Sequence, residues 1–285
     1  MMRGKLRMQS LAACCALLLV ASVPASVDAA NSKPAPAKDL LQASNLDIAY
    51  ANNKGTMLLS LGLTKTDDAE RYTRTICEPN KPFAIVHSGY QEGDDQGTGR
   101  QTAANFAHEA GALFYTKWDG KAAANQTCIL STTDAWSSYK FLAYKPANGE
   151  KLTAAIVKRI EAVRQRKVVK HERIGTISQN TAVAVVQYEP RKGENPLAGI
   201  ALVTPDTTIL LPLSGNDDPN STWRVDDGGV IDASQFRVIV SAKSASGYAL
   251  GLEWYGAEGN SIYVLKQTGR RFDPIMHQGR YMAPV

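Results

Sequence analysis

Cysteine, histidine and long apolar runs are all scarce in this chain, and each scarcity removes a class of function. There are four cysteines and no Cys-x-x-Cys pair, so neither a dithiol redox motif nor a thiolate zinc site is expected. The four histidines, His87, His108, His171 and His277, never fall at metal-ligand spacing. His108-Glu109 continues into Ala110-Gly111-Ala112, so H-E-x-x-H is missing and no metal is expected. G-x-S-x-G is missing as well, which leaves no serine-hydrolase elbow. Gly97-Thr98-Gly99-Arg100 lacks the Lys-Ser/Thr step of a phosphate loop, and Asp94 and Asp95 would repel a phosphate. No nucleotide and no cofactor are therefore expected. Beyond residue 20 no segment is apolar for long enough to cross a bilayer.

What is present begins at the N-terminus. Arg3, Lys5 and Arg7 form a basic region, Leu11 to Val20 is apolar, Pro24 breaks it, and Val27-Asp28-Ala29 supplies the small residues a signal peptidase reads. Residues 1–29 are thus expected to be a cleaved secretory signal, with an uncleaved anchor as the alternative. Leu11-Ala12-Ala13-Cys14 resembles a lipoprotein cleavage box, but the apolar run follows Cys14 and Cys15 instead of preceding them. Cleavage would leave 29 basic against 26 acidic residues. That mild balance argues for neither nucleic acid nor an anionic membrane surface as partner. It would also leave Cys77 and Cys128 as the only cysteines. An even pair in an exported chain most often forms a disulfide; a thiol nucleophile or two free thiols are the alternatives.

The expected class is α+β: a mixed α/β N-terminal part with one long amphipathic helix, then an antiparallel all-β sandwich or open barrel. Residues 30–44 read as a flexible lead-in, 45–172 as the α+β domain and 173–285 as the β domain. Asn52-Asn53-Lys54-Gly55 marks a hairpin, Phe83 to Val86 a buried strand, and residues 99–110 a helix with Thr98 and Gln101 at capping spacing. Ala112–Tyr115, Thr127–Leu130 and Tyr139–Tyr144 read as further strands. Leu152, Ile156, Ile160 and Val163 form a stripe that predicts the long helix, from Glu150 to about Arg166. Six strands follow: Thr181–Tyr188, Leu197–Val203, Thr207–Leu213, Phe236–Val240, Tyr248–Trp254 and Ile262–Leu265.

Candidate chemistry is sparse. Eight basic residues against two acidic ones between Lys151 and Arg173 suit an acidic partner ahead of an anionic membrane, or else a solvated helix face. The loops at 92–97, 216–218 and 226–229 pair carboxylates with glycine, as calcium sites and ordinary turns both do; none has EF-hand spacing. His87 at a strand end, with Asp94 or Asp95, would be the acid–base pair of a hydrolase acting on cell-envelope material. Trp223, Arg224, Asp226, Asp227, Glu253, Trp254, Tyr255 and Glu258 mix aromatics with charge, as a binding surface does, although Trp223 and Trp254 could equally fill a core. The balance favours an exported (periplasmic or secreted) non-catalytic protein: an envelope-associated binding or protein-interaction module whose partner is an envelope protein or glycan. The hydrolase is the alternative.

Overall fold

The structure, a computed structural model, describes residues 39–147, 149–178, 180–216, 231–256 and 258–282. The hairpin signal at Asn52 joins β1 (Leu46–Ala51) to β2 (Met57–Ser60). Asn52 Oδ1 accepts from Thr56 N at 3.1 Å, and Gly55 turns the chain at φ 70°. A side chain at Gly55 would collide with Ala122 O, so the hairpin admits only glycine there. Next come β3 (Tyr72–Ile76), β4 (Pro82–Gln91), β5 (Gly111–Thr116) and β6 (Thr127–Thr132). These six strands close an antiparallel barrel in the order β1-β2-β5-β4-β3-β6. Ala49, Leu58, Ile85, Phe114, Cys128 and Leu130 fill it. The expected disulfide is present: Cys77 and Cys128 are bonded, with Cα atoms 4.1 Å apart.

This barrel corrects the expected mixed α/β N-terminal part. Residues 99–110 form only a 3-10 turn at Phe106–His108. Hydrogen bonds to distant groups displace the helix: Gln101 N to Tyr281 O at 2.8 Å and Ala103 N to Asn125 Oδ1 at 2.8 Å. Asn105 also spends its side chain on local backbone, accepting from Thr98 N and donating to Arg100 O. The expected lead-in is partly built in too, since Leu41 is buried beside Leu46 and Ile48.

Beyond the barrel, β7 (Lys140–Phe141) and β8 (Tyr144–Pro146) precede α1 (Ala154–Arg164). Thr153 caps α1, its hydroxyl accepting from Ile156 N, and Gln165 ends it in the left-handed region. Then come β9 (Val168–Ile177), β10 (Thr181–Tyr188), β11 (Leu197–Val203), β12 (Thr208–Ser214), β13 (Phe236–Ser244), β14 (Gly247–Tyr255), β15 (Gly259–Thr268) and β16 (Arg271–Tyr281). They form one ten-stranded sheet, ordered β7-β13-β14-β15-β16-β12-β11-β10-β9-β8. The boundary expected at residue 172 falls inside β9, which pairs with β8 and β10. Barrel and sheet belong to one compact unit, Ala37–Val285.

The sheet curls until one short segment bridges its two edges. Residues 140–146 pair with β13 at one end and with β9 at the other. The inner face is a single apolar core that includes Ile177, Val185, Ile200, Leu252 and Phe272. Outside, β10 and β11 carry α1 on Ala184, Val186, Ala201 and Val203. The outer face of β13–β15 carries the barrel, with Ile239, Val240, Ile262 and Val264 against Leu46, Ile48 and Ile129. Among the described residues no helix is long and apolar enough to cross a membrane.

One buried carboxyl gives the fold a pH signature. Asp47 on β1 is 3 % exposed and accepts from Ser60 Oγ at 2.5 Å. Burial drives its pKa up to about 6, against the pull of that bond. The native state therefore holds this proton more tightly than the unfolded chain. The stabilisation is complete below about pH 4 and is lost as pH rises through about 6, a fall of about 3 kcal/mol. Urea midpoints measured from pH 4 to 7 should show the fall in the wild type and a flatter profile in Asp47→Asn. Parallel profiles would place its origin elsewhere.

Candidate functional site

The seam where the sheet nearly closes opens into a groove. β7 covers β13 only at Ala242 and Lys243. From Phe236 to Val240, β13 has no strand partner on that side among the described residues. β8 pairs with β9 from Gly175 to Ile177, and the chain after it follows the β9 edge as far as Arg173 through bonds from Ala147 N to Ile174 O and Gly149 N to Arg173 O. Below this short bridge lies a cavity of about 1070 Å³, walled by Tyr144 and Ile174 on one side and Glu78, Lys81 and Gln126 of the barrel on the other. Phe236, Arg237 and Val238 also line it.

Tyr144 is placed by a glycine. Any side chain at Gly175 would overlap the Tyr144 ring, and the Tyr144 hydroxyl donates to Ile174 O at 3.1 Å. Gly175→Val is expected to expel the ring and cost about 1–3 kcal/mol by urea unfolding. The same variant should open the groove wall, read as faster exchange of the amides of residues 144–147. Unchanged exchange would show that Tyr144 does not hold the seam.

The groove's charges are already engaged. Glu172 accepts from Ala233 N at 3.0 Å and Lys151 Nζ at 3.4 Å. Asp232 caps the turn at 233–235 through Ser234 N at 2.9 Å, and Glu78 pairs with Lys81 at 2.6 Å. Arg237 belongs to a buried cluster that locks barrel to sheet. Its Nε and Nη2 donate to Glu253 Oε2 at 2.8 and 2.7 Å, and its remaining bonds go to Cys77 O and Thr127 O. Glu253 also accepts from Thr127 Oγ1 at 2.5 Å and Asn260 Nδ2 at 2.8 Å. Arg280 donates to Thr127 Oγ1, Asn125 O and Gln101 O, each at 2.8 Å, and stacks over Tyr50. Burial works to raise the Glu253 carboxyl, but the Arg237 charge and the hydrogen bonds outweigh it and hold the pKa below its ordinary value. Burial lowers Arg280 to about 10, so it stays charged at neutral pH.

The residues expected from sequence scatter. His87 lies half-buried on β4, its ring 5.5 Å from that of Phe114. Asp94 bonds to His108 Nδ1 at 2.9 and 3.0 Å, not to His87, because Asp94 N is tied to His108 O at 3.1 Å. The side-chain bond with His108 also lowers the Asp94 pKa. Asp95 is exposed. Trp254 is buried in the sheet core, stacked on Phe236 at 5.3 Å. Glu253 is in the locking cluster, half-buried Tyr255 lines a small pocket beside it, and Glu258 is exposed. Trp223, Arg224, Asp226 and Asp227, with the acidic stretches at 217–218 and 226–229, lie outside the described residues. Among the described residues no group of three or more His, Cys, Asp or Glu could hold a metal.

Sequence reading missed Tyr144, Arg237, Asn260 and Arg280. The signal was the strand register. Arg237 opposes Glu253, and Asn260 opposes Arg280, so alternation puts all four on the barrel-facing side. Comparison with protein-family models, curated proteins and solved structures gave no match to this chain.

Proposed function

We propose that this chain is an exported, non-catalytic interaction module that holds an extended segment of an envelope protein along the open edge of β13. The observation that carries this reading is the stretch of β13 from Phe236 to Val240, which has no strand partner on that side among the described residues and whose Phe236, Arg237 and Val238 line the large groove. An incoming strand completes such an edge through backbone hydrogen bonds, and flanking walls such as Tyr144 and Phe236 select its side chains. Engagement of Glu78, Glu172 and Asp232 in structural bonds argues for binding over acid–base chemistry. Export is supported by the three-part pattern of residues 1–29 and by a buried disulfide, which persists in an oxidising compartment.

A photo-crosslinking residue placed at exposed Pro146 or Ser234 in living cells tests it, with Lys192 outside the groove as the control position. One discrete protein adduct from both groove positions and none from Lys192 is expected. Glycan adducts alone, or the same adducts from all three positions, would overturn the reading.

A further inference from the structure

The near-balanced overall charge hides a segregation that the barrel imposes. Because all six strands are antiparallel, the connections at 52–56, 77–81 and 117–126 gather at one rim, and those at 61–71, 92–110 and 133–139 at the other. The first rim carries four lysines against two carboxylates, the second eight carboxylates against three lysines and arginines. Both carboxylates of the basic rim are occupied. Glu78 pairs with Lys81, and Asp119 accepts from Ala84 N at 3.1 and 3.2 Å. Lys54, Lys117 and Lys121 enter no ion pair among the described residues.

The basic rim also carries the most exposed aromatic described. Trp118 is 97 % exposed, between Lys117 and Lys121. The 117–121 loop presses its inner side on the barrel, where Gly120 meets the Phe83 ring, so the Trp118 side is left outward. Just before it, Tyr115 and Val86 face each other across β5 and β4 and are 51 % and 45 % exposed. Lys54 is brought alongside by the bond from Ala122 N to Gly55 O at 3.0 Å. An outward tryptophan costs free energy in water unless something covers it.

We propose that this rim seats the protein on an anionic bilayer surface, with Trp118 at the headgroup level and Lys54, Lys117 and Lys121 on the lipid phosphates. A bilayer is favoured over a peptide or glycan because the pocket at this rim is lined by Lys81, Phe83, Asp119 and Lys121 and leaves Trp118, 97 % exposed, outside it. Tryptophan suits the membrane–water interface, and clustered lysines suit an anionic leaflet. The acidic opposite rim orients the molecule, repelled from the surface that attracts the basic one. Trp118, Lys54, Lys117 and Lys121 are not among the residues that line the β13 groove, although Glu78, Lys81 and Gln126 of the same rim are, and the proposal stands without that groove.

The test uses the protein recovered from its producing cells, its N-terminus read by mass spectrometry, with vesicles of phosphatidylcholine alone or mixed with phosphatidylglycerol. Co-sedimentation with the mixed vesicles at low salt, released by salt, is expected. Lys117→Gln with Lys121→Gln should weaken it by about five-fold per lysine. Trp118→Ala should weaken it by about ten-fold and remove any fluorescence blue shift on binding. All three side chains are at the surface, so the thermal midpoint of each variant should match the wild type. Failure to bind mixed vesicles at low salt, equal binding to both vesicle types, or binding untouched by either variant would each overturn the proposal. So would an acidic soluble protein that occupies the rim while vesicles do not.

Discussion

Glu253→Leu is expected to lower the unfolding free energy by about 3–5 kcal/mol, the usual cost of breaking a buried ion pair from one side. Glu253 is 1 % exposed and takes hydrogen bonds from Arg237, Thr127 and Asn260. Without it Arg237 loses its only carboxylate partner among the described residues, and Arg280, 2 % exposed, loses the opposite charge of Glu253. The cost comes from the stranded cations more than from lost attraction. Removing one of them in the same molecule should therefore recover part of it, and Glu253→Leu with Arg237→Met should be more stable than Glu253→Leu alone. Urea unfolding of the four members of this cycle gives the coupling. A double variant whose loss equals or exceeds the sum of the single losses would refute the clasp. Acid should act in the same direction. The depressed Glu253 pKa gives stability that is present above the ordinary carboxylate range and lost as pH falls through the lowered value.

The same cluster marks where sequence reading succeeded and where it stopped. The strands at Thr181–Tyr188 and Leu197–Val203 were legible because they are apolar on both faces, one turned to the sheet core and one to α1. The stripe of Leu152, Ile156, Ile160 and Val163 was legible for the same reason, although the helix stops at Arg164. β16 was hidden by Arg271, Asp273, Pro274 and His277. Pro274 is tolerated because β15 shifts register opposite it, between Val264 and Leu265. β9 was hidden by Lys170, His171, Glu172 and Arg173, which read as a continuation of the basic helix. The closed barrel could not be read at all, since it depends on β1 meeting β6 across eighty residues of chain. Of the binding candidates, Glu253 is named in the sequence only as a polar neighbour of Trp254, and the structure places it in the buried cluster. Its partners on β13, β15 and β16 become visible only once the register is known.

Removing the disulfide should have an effect of similar size. Cys77 follows the last residue of β3, and Ile76 opposes Ile129 of β6, so the bridge continues the β3–β6 ladder by one rung. It spans a sequence separation of 51, which encloses β4 and β5, and in the chain-entropy model is worth about 4 kcal/mol. Cys77→Ala with Cys128→Ala is therefore expected to lose about 3–5 kcal/mol in urea unfolding. Both residues are buried, at 1 % and 0 % exposure, so neither Cys77 nor Cys128 should be alkylated until the protein is unfolded with reductant present. The bridge also steadies the groove, because Cys77 O accepts from Arg237 Nη1 at 2.9 Å and Gln126 Nε2 at 2.8 Å. Loss of the bridge should speed exchange at Gln126 and along β13 more than along β10 or β11, which lie beneath α1. Uniform acceleration would mean the bridge acts on the unfolded chain alone. Acceleration confined to β3, β6 and the Arg237 contacts would make it a strut between the barrel rim and the open edge of β13.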